Sequence, residues 1–214
     1  MAGLRRRHRV AAAIAALCLA AGGAAAHQPR GELLQQRLKL ERADPSYRPP
    51  DPAKLGGPFT MTDHTGREVT HDTYRGKLSL MFFGFHGCRE SCPTGLDKIA
   101  PMMELLGADA AKVQPVFVDV SMGREDLKGL AQWVSNFHPS LVGLTGTRAE
   151  RFEIVRLFQV RREYKHNTYN PKETGPRLDH STYFYVIDTE GRTRSYFYHT
   201  LSPEEMAAAV RRWL

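Results

Sequence analysis

The chain has 214 residues and a formal net charge of +7 at neutral pH, and 42% of its residues are hydrophobic. Four arginines among residues 1–26 account for most of that charge, since residues 27–214 carry 26 basic and 23 acidic side chains, a formal charge of +3. So small a charge argues against a nucleic-acid-binding protein, which would need a basic patch on its folded domain. The two cysteines left after residue 26 are too few for a disulfide-stabilised scaffold.

Residues 1–26 have the pattern of an export signal. Four arginines at positions 5, 6, 7 and 9 precede an apolar stretch at residues 10–21, and alanines at 24–26 offer a cleavage site before His27. The apolar stretch is short for a transmembrane helix, although an uncleaved membrane anchor stays a second interpretation. We therefore predict an exported protein that is periplasmic or tethered to a membrane facing the periplasm.

The remainder divides into a leader and one domain. Residues 27–57 are predicted to be a leader or linker, because the proline-rich segment 44–52 cannot continue a short helix possible at residues 32–41. Residues 58–214 are enough for a single domain with a substantial core.

The first half of this domain alternates strands with helices. Short strands at residues 59–61 and 68–70 predict a hairpin. The apolar run 78–85 predicts a strand buried on both faces, and residues 113–120 predict a second strand. A helix is predicted between them at residues 93–106, and an amphipathic helix follows at residues 126–137.

The second half continues the alternation and closes it. A short strand is predicted at residues 141–144. A capping box at Thr147 and Glu150 then starts a helix, which runs to about residue 158. Strands at 181–188 and 193–198 are predicted to pair antiparallel, and a second capping box at Ser202 opens the C-terminal helix. The pattern predicts an α/β fold: a thioredoxin-like central mixed sheet flanked by helices, with an N-terminal β-hairpin.

The long connection at residues 164–178 is expected to lack regular structure, because it is rich in glycine, proline and polar residues. A loop of that length inside a compact domain is usually functional. We expect it to be mobile until a metal fixes the histidine that follows it, His180.

Cys88 and Cys92 lie directly after the buried strand 78–85 and open the helix that begins at Pro93. The helix dipole and free backbone N–H groups are expected to lower the pKa of both thiols, with Cys88 more exposed and more reactive. Such a pair can exchange disulfides or hold a soft metal ion. A purely structural disulfide is disfavoured, because closing so short a loop adds little stability.

His180 precedes the strand 181–188, at a position that lies beside the thiol motif in a thioredoxin-like topology. Two thiolates and one imidazole suit copper, in either oxidation state, better than a hard cation. Zinc is the competitor, but a closed structural zinc site usually has four protein ligands, and His86 is the nearest fourth candidate. Asp119 is predicted either to support the site or to cap a turn, and Asp179 either to orient an imidazole or to be solvated.

At this point a family resemblance can be stated. Residues 82–96, with Cys88, Cys92 and Pro93, resemble the CxxxCP motif of the Sco/SenC family, and similar blocks follow in the family's order at residues 118–120, 136–139, 142–146 and 179–188. The resemblance runs from about residue 58 to the C-terminus. It implies a thioredoxin-like fold, copper (Cu(I) or Cu(II)) bound by Cys88, Cys92 and His180, and a part in assembling the binuclear copper centre of cytochrome c oxidase.

The leading expectation is therefore a copper metallochaperone that acts near a membrane and not on nucleic acid. Its partner would be the copper-accepting subunit of cytochrome c oxidase or another copper chaperone. The alternative is a thiol–disulfide oxidoreductase that reduces cysteines of the oxidase subunit or of an accessory protein, with Cys88 and Cys92 as a catalytic pair able to form a reversible disulfide. A copper or redox sensor is a third interpretation, so enzymatic activity stays open. His180 separates these functions, because a chaperone needs it as a ligand and thiol exchange does not.

Overall fold

The computed structural model describes residues 50–86, 88, 91–121, 126–165 and 177–214, with the backbone alone for residues 163–165 and 177–179. The predicted export signal at residues 1–26 and residues 27–49 of the predicted leader lie outside the described residues, so both stay predictions. No helix in the described part combines the length and the apolar character needed to cross a membrane.

The described residues form a seven-stranded mixed sheet and a separate two-stranded ribbon. The sheet order is β2-β1-β5-β4-β3-β8-β9; β3, β4 and β5 are parallel to one another and the other pairs are antiparallel. The strands are β1 (Thr60–Asp63), β2 (Glu68–Thr70), β3 (Leu78–Gly84), β4 (Val113–Asp119), β5 (Val142–Thr145), β6 (Arg162–Lys165), β7 (Arg177–His180), β8 (Tyr183–Ile187) and β9 (Thr193–Tyr198), with β6 and β7 forming the ribbon.

Helices begin where the capping residues predict them. Thr147 and Ser202 each form the predicted capping box, and the side chain of Asp126 accepts a hydrogen bond from the first turn of a third helix. The α-helices are α1 (Ser91–Leu96), α2 (Ile99–Leu106), α3 (Leu127–Ser135), α4 (Arg148–Leu157) and α5 (Pro203–Arg211), with short 3-10 helices at Pro52–Lys54 and Gly107–Lys112.

Strand β3 is buried on both faces, as its unbroken apolar run predicts. Leu80 and Phe82 point to one side, where they join a cluster that includes residues of α1, α2, α3 and α5. Met81 and Phe83 point to the other side and pack in a cluster with residues of α4. This second cluster also contains Leu55, which lies before the predicted domain boundary at residue 58.

The predicted single helix at residues 93–106 is wrong. It is two helices, α1 and α2, separated at Asp97 and Lys98. Pro101 explains the break, because in a continuous helix its ring would clash with the carbonyl of residue 97. In the first turn of a new helix that begins at Ile99, the proline costs no hydrogen bond.

The predicted irregular loop at residues 164–178 is also partly wrong. Its two ends form β6 and β7, which pair antiparallel with Tyr164 opposite Leu178. Both strands are short and polar, so they lack the apolar alternation by which a strand is predicted. The centre of this connection, residues 166–176, lies outside the described residues.

The sheet topology brings three chain segments to one edge. Gly84 at the end of β3 is opposite Asp119 at the end of parallel β4, so both strands finish together. Strand β8 runs antiparallel to β3, with Phe82 opposite Phe184, and therefore starts where β3 ends. The segment that leaves β3 and the segment that enters β8 consequently meet at this edge. In open α/β sheets, functional groups commonly lie at such an edge, beyond the carboxyl ends of the parallel strands.

Candidate metal centre

Both cysteines of the motif lie at this edge as thiols and not as a disulfide. Cys88 has a relative exposure of 6% and Cys92, in the first turn of α1, of 0%. Cys88 is the more exposed of the two, as predicted, but both are buried. The sulfur of Cys92 packs against the backbone of Gly84, where an added Cβ would lie 2.7 Å from it. A glycine at the end of β3 therefore makes room for this sulfur.

The expectation that the helix dipole lowers both thiol pKa values is wrong for Cys92. A hydrogen bond with Cys88 and then burial raise the pKa of the Cys92 thiol well above its ordinary value, although Phe85 N–H and the Ser91 side chain act in the opposite direction. Helix α1 has only six residues, so its dipole is weak, and the contact with Cys88 and the burial of the sulfur both favour the neutral thiol. Cys92 is therefore a protonated thiol in the metal-free protein at neutral pH.

His180 completes the group that the sequence predicts. Its Nδ1 lies 3.0 Å from the carbonyl oxygen of Ser181, and its Nε2 lies 3.6 Å from the sulfur of Cys92. Because a carbonyl only accepts hydrogen bonds, Nδ1 carries a proton, and in the neutral imidazole Nε2 is then the nitrogen whose lone pair faces the thiol. The ring of Phe85 meets the imidazole edge to face, with 6.1 Å between the ring centres. Backbone and aromatic contacts therefore aim the free nitrogen at Cys92.

Cys92 thus contacts both other predicted ligands. Within the described residues, however, no three histidine, cysteine, aspartate or glutamate side chains form a group ready to hold a metal ion. The 3.6 Å between Cys92 Sγ and His180 Nε2 is close to the roughly 3.5–3.8 Å expected for sulfur and nitrogen ligands that share one Zn²⁺-sized ion. The soft character of the donors, and their number, favour copper over zinc at this position.

His86, the candidate for a fourth ligand, is engaged elsewhere. Its Nδ1 lies 3.1 Å from Asp119 Oδ2 and its Nε2 lies 3.6 Å from Asp126 Oδ2. The hydrogen bond to Asp119 raises the pKa of His86, and burial offsets this only in part. The imidazole therefore joins the end of β4 to the residue that caps α3, and it would have to give up at least one of these carboxylates to bind a metal.

Asp119 caps a turn, which is one of its two predicted roles, and its support of the copper site stays a prediction. Its Oδ1 accepts a hydrogen bond from Ser121 N–H, which caps the turn after β4. Its Oδ2 faces His86 and lies 3.9 Å from Nη1 of the buried Arg151. The side chain of Asp179 is not among those described, so its role in orienting an imidazole stays a prediction.

Some residues at this edge were not anticipated from the sequence. Phe85 and the Ser181 carbonyl orient His180, and Gly84 gives space to Cys92. Of these, only Gly84 carries a sequence signal, since a glycine inside a strand often marks a close approach.

Comparison with known proteins identifies the family. The SCO1/SenC family profile matches residues 48–214. The SCO2-like protein of Rickettsia prowazekii is 35% identical over 156 residues, which cover 73% of this chain and 75% of that protein.

Solved structures agree with this assignment. Bradyrhizobium japonicum ScoI with copper bound is 34% identical, with a TM-score of 0.66 over 75% of this chain and 99% of that one. Yeast Sco1 with copper bound is 30% identical, with a TM-score of 0.65 over 74% of this chain and 87% of that one. These similarities confirm the predicted thioredoxin-like fold class, and the chain belongs to the SCO1/SenC family.

Proposed function

We propose that this protein is a copper metallochaperone that binds one copper ion through Cys88, Cys92 and His180 and passes it to the copper-accepting subunit of cytochrome c oxidase. The observation that carries the proposal is the contact between Nε2 of His180 and the sulfur of Cys92, with Cys88 hydrogen-bonded to the same sulfur. Two related Sco proteins whose structures contain copper support the identity of the metal.

The properties of these side chains suit a carrier. Cys92 is a neutral thiol in the metal-free state, so it gives up a proton as it becomes a copper ligand. The imidazole of His180 already points its Nε2 at the sulfur of Cys92. Copper supplies no chemistry of its own here, since it is the cargo. A set of three soft or borderline ligands leaves the ion accessible to the thiolates and imidazoles of an acceptor.

A thiol–disulfide oxidoreductase is the second candidate, and the contact between the two thiols favours it. Oxidation would join Cys88 and Cys92 in a reversible disulfide and remove both sulfur ligands from the copper site. The burial of both sulfurs and the raised pKa of Cys92 weigh against a nucleophilic pair, because thiol exchange proceeds through an exposed thiolate. Copper delivery is therefore the better supported function.

Copper titration of the reduced domain tests this proposal. We expect one copper ion per chain and, for Cu(II), a thiolate-to-copper charge-transfer band. In His180→Ala the band should shift or disappear and the affinity should fall by at least about tenfold, because one of three ligands is lost. His138→Ala is the matched control, since the His138 imidazole hydrogen-bonds Ser140 between α3 and β5. Unchanged affinity and spectrum in His180→Ala would remove the histidine from the ligand set.

The same variant separates the two functions. A chaperone without His180 should fail to pass copper to the soluble domain of the acceptor subunit. A thiol–disulfide oxidoreductase without it should still reduce a disulfide in that domain. Disulfide reduction by the wild-type protein without copper transfer would favour the second candidate.

We also propose that the protein works in the periplasm, close to the membrane that holds the acceptor. The arginines and apolar stretch of residues 1–26 support export. Mass spectrometry of the protein from separated periplasmic and membrane fractions distinguishes cleavage before His27 from a retained anchor. Recovery of the intact chain in the cytoplasm would contradict export.

A further inference from the structure

Two arginines meet on one exposed aromatic ring. Phe152, on the outer side of α4, has a relative exposure of 47%. The guanidinium carbon of Arg162 lies 4.3 Å from the centre of its ring, and that of Arg148 lies 5.6 Å away. Distances of this size are typical of cation–π contacts. We call Phe152, Arg148 and Arg162 the arginine–phenylalanine patch.

The patch is joined to the copper-binding edge through the β6–β7 ribbon. Arg162 in β6 is directly opposite His180 in β7, so their Cα atoms are about 4.5–5.5 Å apart. Nη1 of Arg162 also donates a hydrogen bond to the carbonyl of Val120, one residue after the end of β4. The patch is therefore held in place and adjoins the strand that carries a proposed copper ligand.

The surroundings of the patch are positive. Among the described residues, no carboxylate lies within ion-pair distance of Arg148, and the neighbouring Arg161 is exposed. The acidic side chains of α4 have other partners: Glu150 closes the capping box with Thr147, and Glu153 pairs with Arg156. Arg148 therefore carries a charge that no described carboxylate balances, beside an exposed aromatic ring, and an anionic partner would pair with it.

We propose that the arginine–phenylalanine patch is a docking surface for the protein that accepts the copper, and that this partner presents an acidic segment with carboxylates beside an apolar side chain. The proposal rests on the function proposed above. The partner's carboxylates pair with Arg148 and its apolar group covers Phe152, which places the partner beside Arg162 and the strand that carries His180. Arginine and aromatic residues are enriched in protein interfaces, and prior ordering of these side chains reduces the entropy lost on binding.

The test is the rate of copper transfer from the loaded protein to the soluble copper-binding domain of the oxidase subunit. Arg148→Glu reverses one charge of the patch and is compatible with the fold, because an acidic residue is favoured in the first turn of a helix. We expect a second-order rate constant about tenfold lower at low salt, and a weaker dependence of that rate on salt. Copper affinity should not change, since Arg148 contacts none of the proposed ligands.

Arg212→Glu is the matched control. It makes the same charge change on the exposed Arg212 at the end of α5, which packs on the other face of the sheet from α4. Transfer by Arg212→Glu should stay within about twofold of wild type, because the charge lies away from the docking surface. Phe152→Ala should slow transfer without the change in salt dependence, which separates the apolar contact from the charge.

The outcomes distinguish this proposal from the function on which it rests. Wild-type transfer with equal rates for Arg148→Glu and Arg212→Glu would overturn the docking surface and leave the chaperone function standing. A wild-type protein that binds copper and does not transfer it would overturn both. Unchanged transfer by Arg148→Glu, together with lost binding to phosphatidylglycerol vesicles, would assign the patch to an anionic lipid surface instead.

Discussion

Gly84 offers the sharpest test of how the fold supports the copper site. An added Cβ at this position would lie 2.7 Å from Cys92 Sγ and 2.9 Å from the ring of Phe117. Strand β3 lies between β4 and β8 and is buried along its whole length, so the backbone has little room to move away. In Gly84→Ala the sulfur of Cys92, the Phe117 ring or the strand itself has to shift.

The size of the effect follows from this contact. Overpacking a well-filled core by one methyl group costs about 1–3 kcal/mol. For a domain of this size, that corresponds to a melting temperature lower by about 3–10 °C. Displacing the sulfur also changes its position relative to His180, and disturbing the support of a metal ligand typically lowers affinity by about 10- to 100-fold.

Gly143→Ala is the matched control for this variant. Its Cβ in β5 would lie 2.8 Å from Leu130 Cγ and 2.9 Å from Val134 Cγ1, a similar clash in the same sheet. Leu130 and Val134 belong to α3, whereas Cys92 lies in α1 and the added Cβ would not meet its sulfur. Gly143→Ala should therefore lose comparable stability and keep its copper affinity.

Urea unfolding followed by tryptophan fluorescence measures the stability of both variants, and copper titration measures affinity. The predicted pattern is a similar fall in the unfolding midpoint for both, with weaker copper binding for Gly84→Ala alone. Wild-type copper affinity in Gly84→Ala would refute the inference that this glycine positions Cys92. A wild-type unfolding midpoint would refute the packing argument itself.

Three further predictions concern the surroundings of the site and the pH dependence of the domain. His86→Gln should keep the copper stoichiometry and spectrum. It should lose about 1–2 kcal/mol of stability in urea unfolding, because His86 contacts two carboxylates. Loss of copper binding in this variant would instead identify His86 as a ligand. In the reduced, metal-free domain, iodoacetamide should alkylate Cys92 more slowly than Cys88 at pH 7.5, because Cys92 is fully buried with a raised pKa; mass spectrometry that finds Cys92 modified first would contradict this. Burial raises the pKa of Asp63, but hydrogen bonds from Thr65 and Arg67 outweigh it and lower the pKa from 3.8 to about 2. The stability that Asp63 contributes is therefore present above pH 3.8 and lost as the pH falls towards 2. Urea midpoints between pH 2 and 5 should depend less on pH in Asp63→Asn, and an unchanged slope would count against this assignment.

Much of the fold could be predicted from local sequence patterns. The apolar run that contains Phe82 forms a fully buried strand, and the capping boxes at Thr147 and Ser202 start helices where predicted. These signals act over a few residues, through apolar periodicity and hydrogen bonds to the nearest turn, so no knowledge of distant contacts is needed. The same reasoning placed Cys88, Cys92 and His180 at strand ends, which the topology brings to one edge of the sheet.

Other features depend on residues far apart in the chain. The β6–β7 ribbon forms by pairing polar segments on either side of a long connection, and its residues carry no apolar alternation. The raised pKa of Cys92 comes from burial and from Cys88, neither of which a helix-dipole argument includes. His86 is separated by 33 and 40 positions from the two carboxylates that it contacts.

The sequence by itself therefore determined which side chains could bind a metal and the order of the secondary structure around them. Only the tertiary structure decided their state: which nitrogen of His180 faces Cys92, which thiol is desolvated, and that His86 is held by Asp119 and Asp126. Protonation and ligand orientation depend on burial and on neighbours brought in by folding. Which atoms can bind a metal is a property of each residue, whereas their protonation and orientation are properties of the packed edge of the sheet.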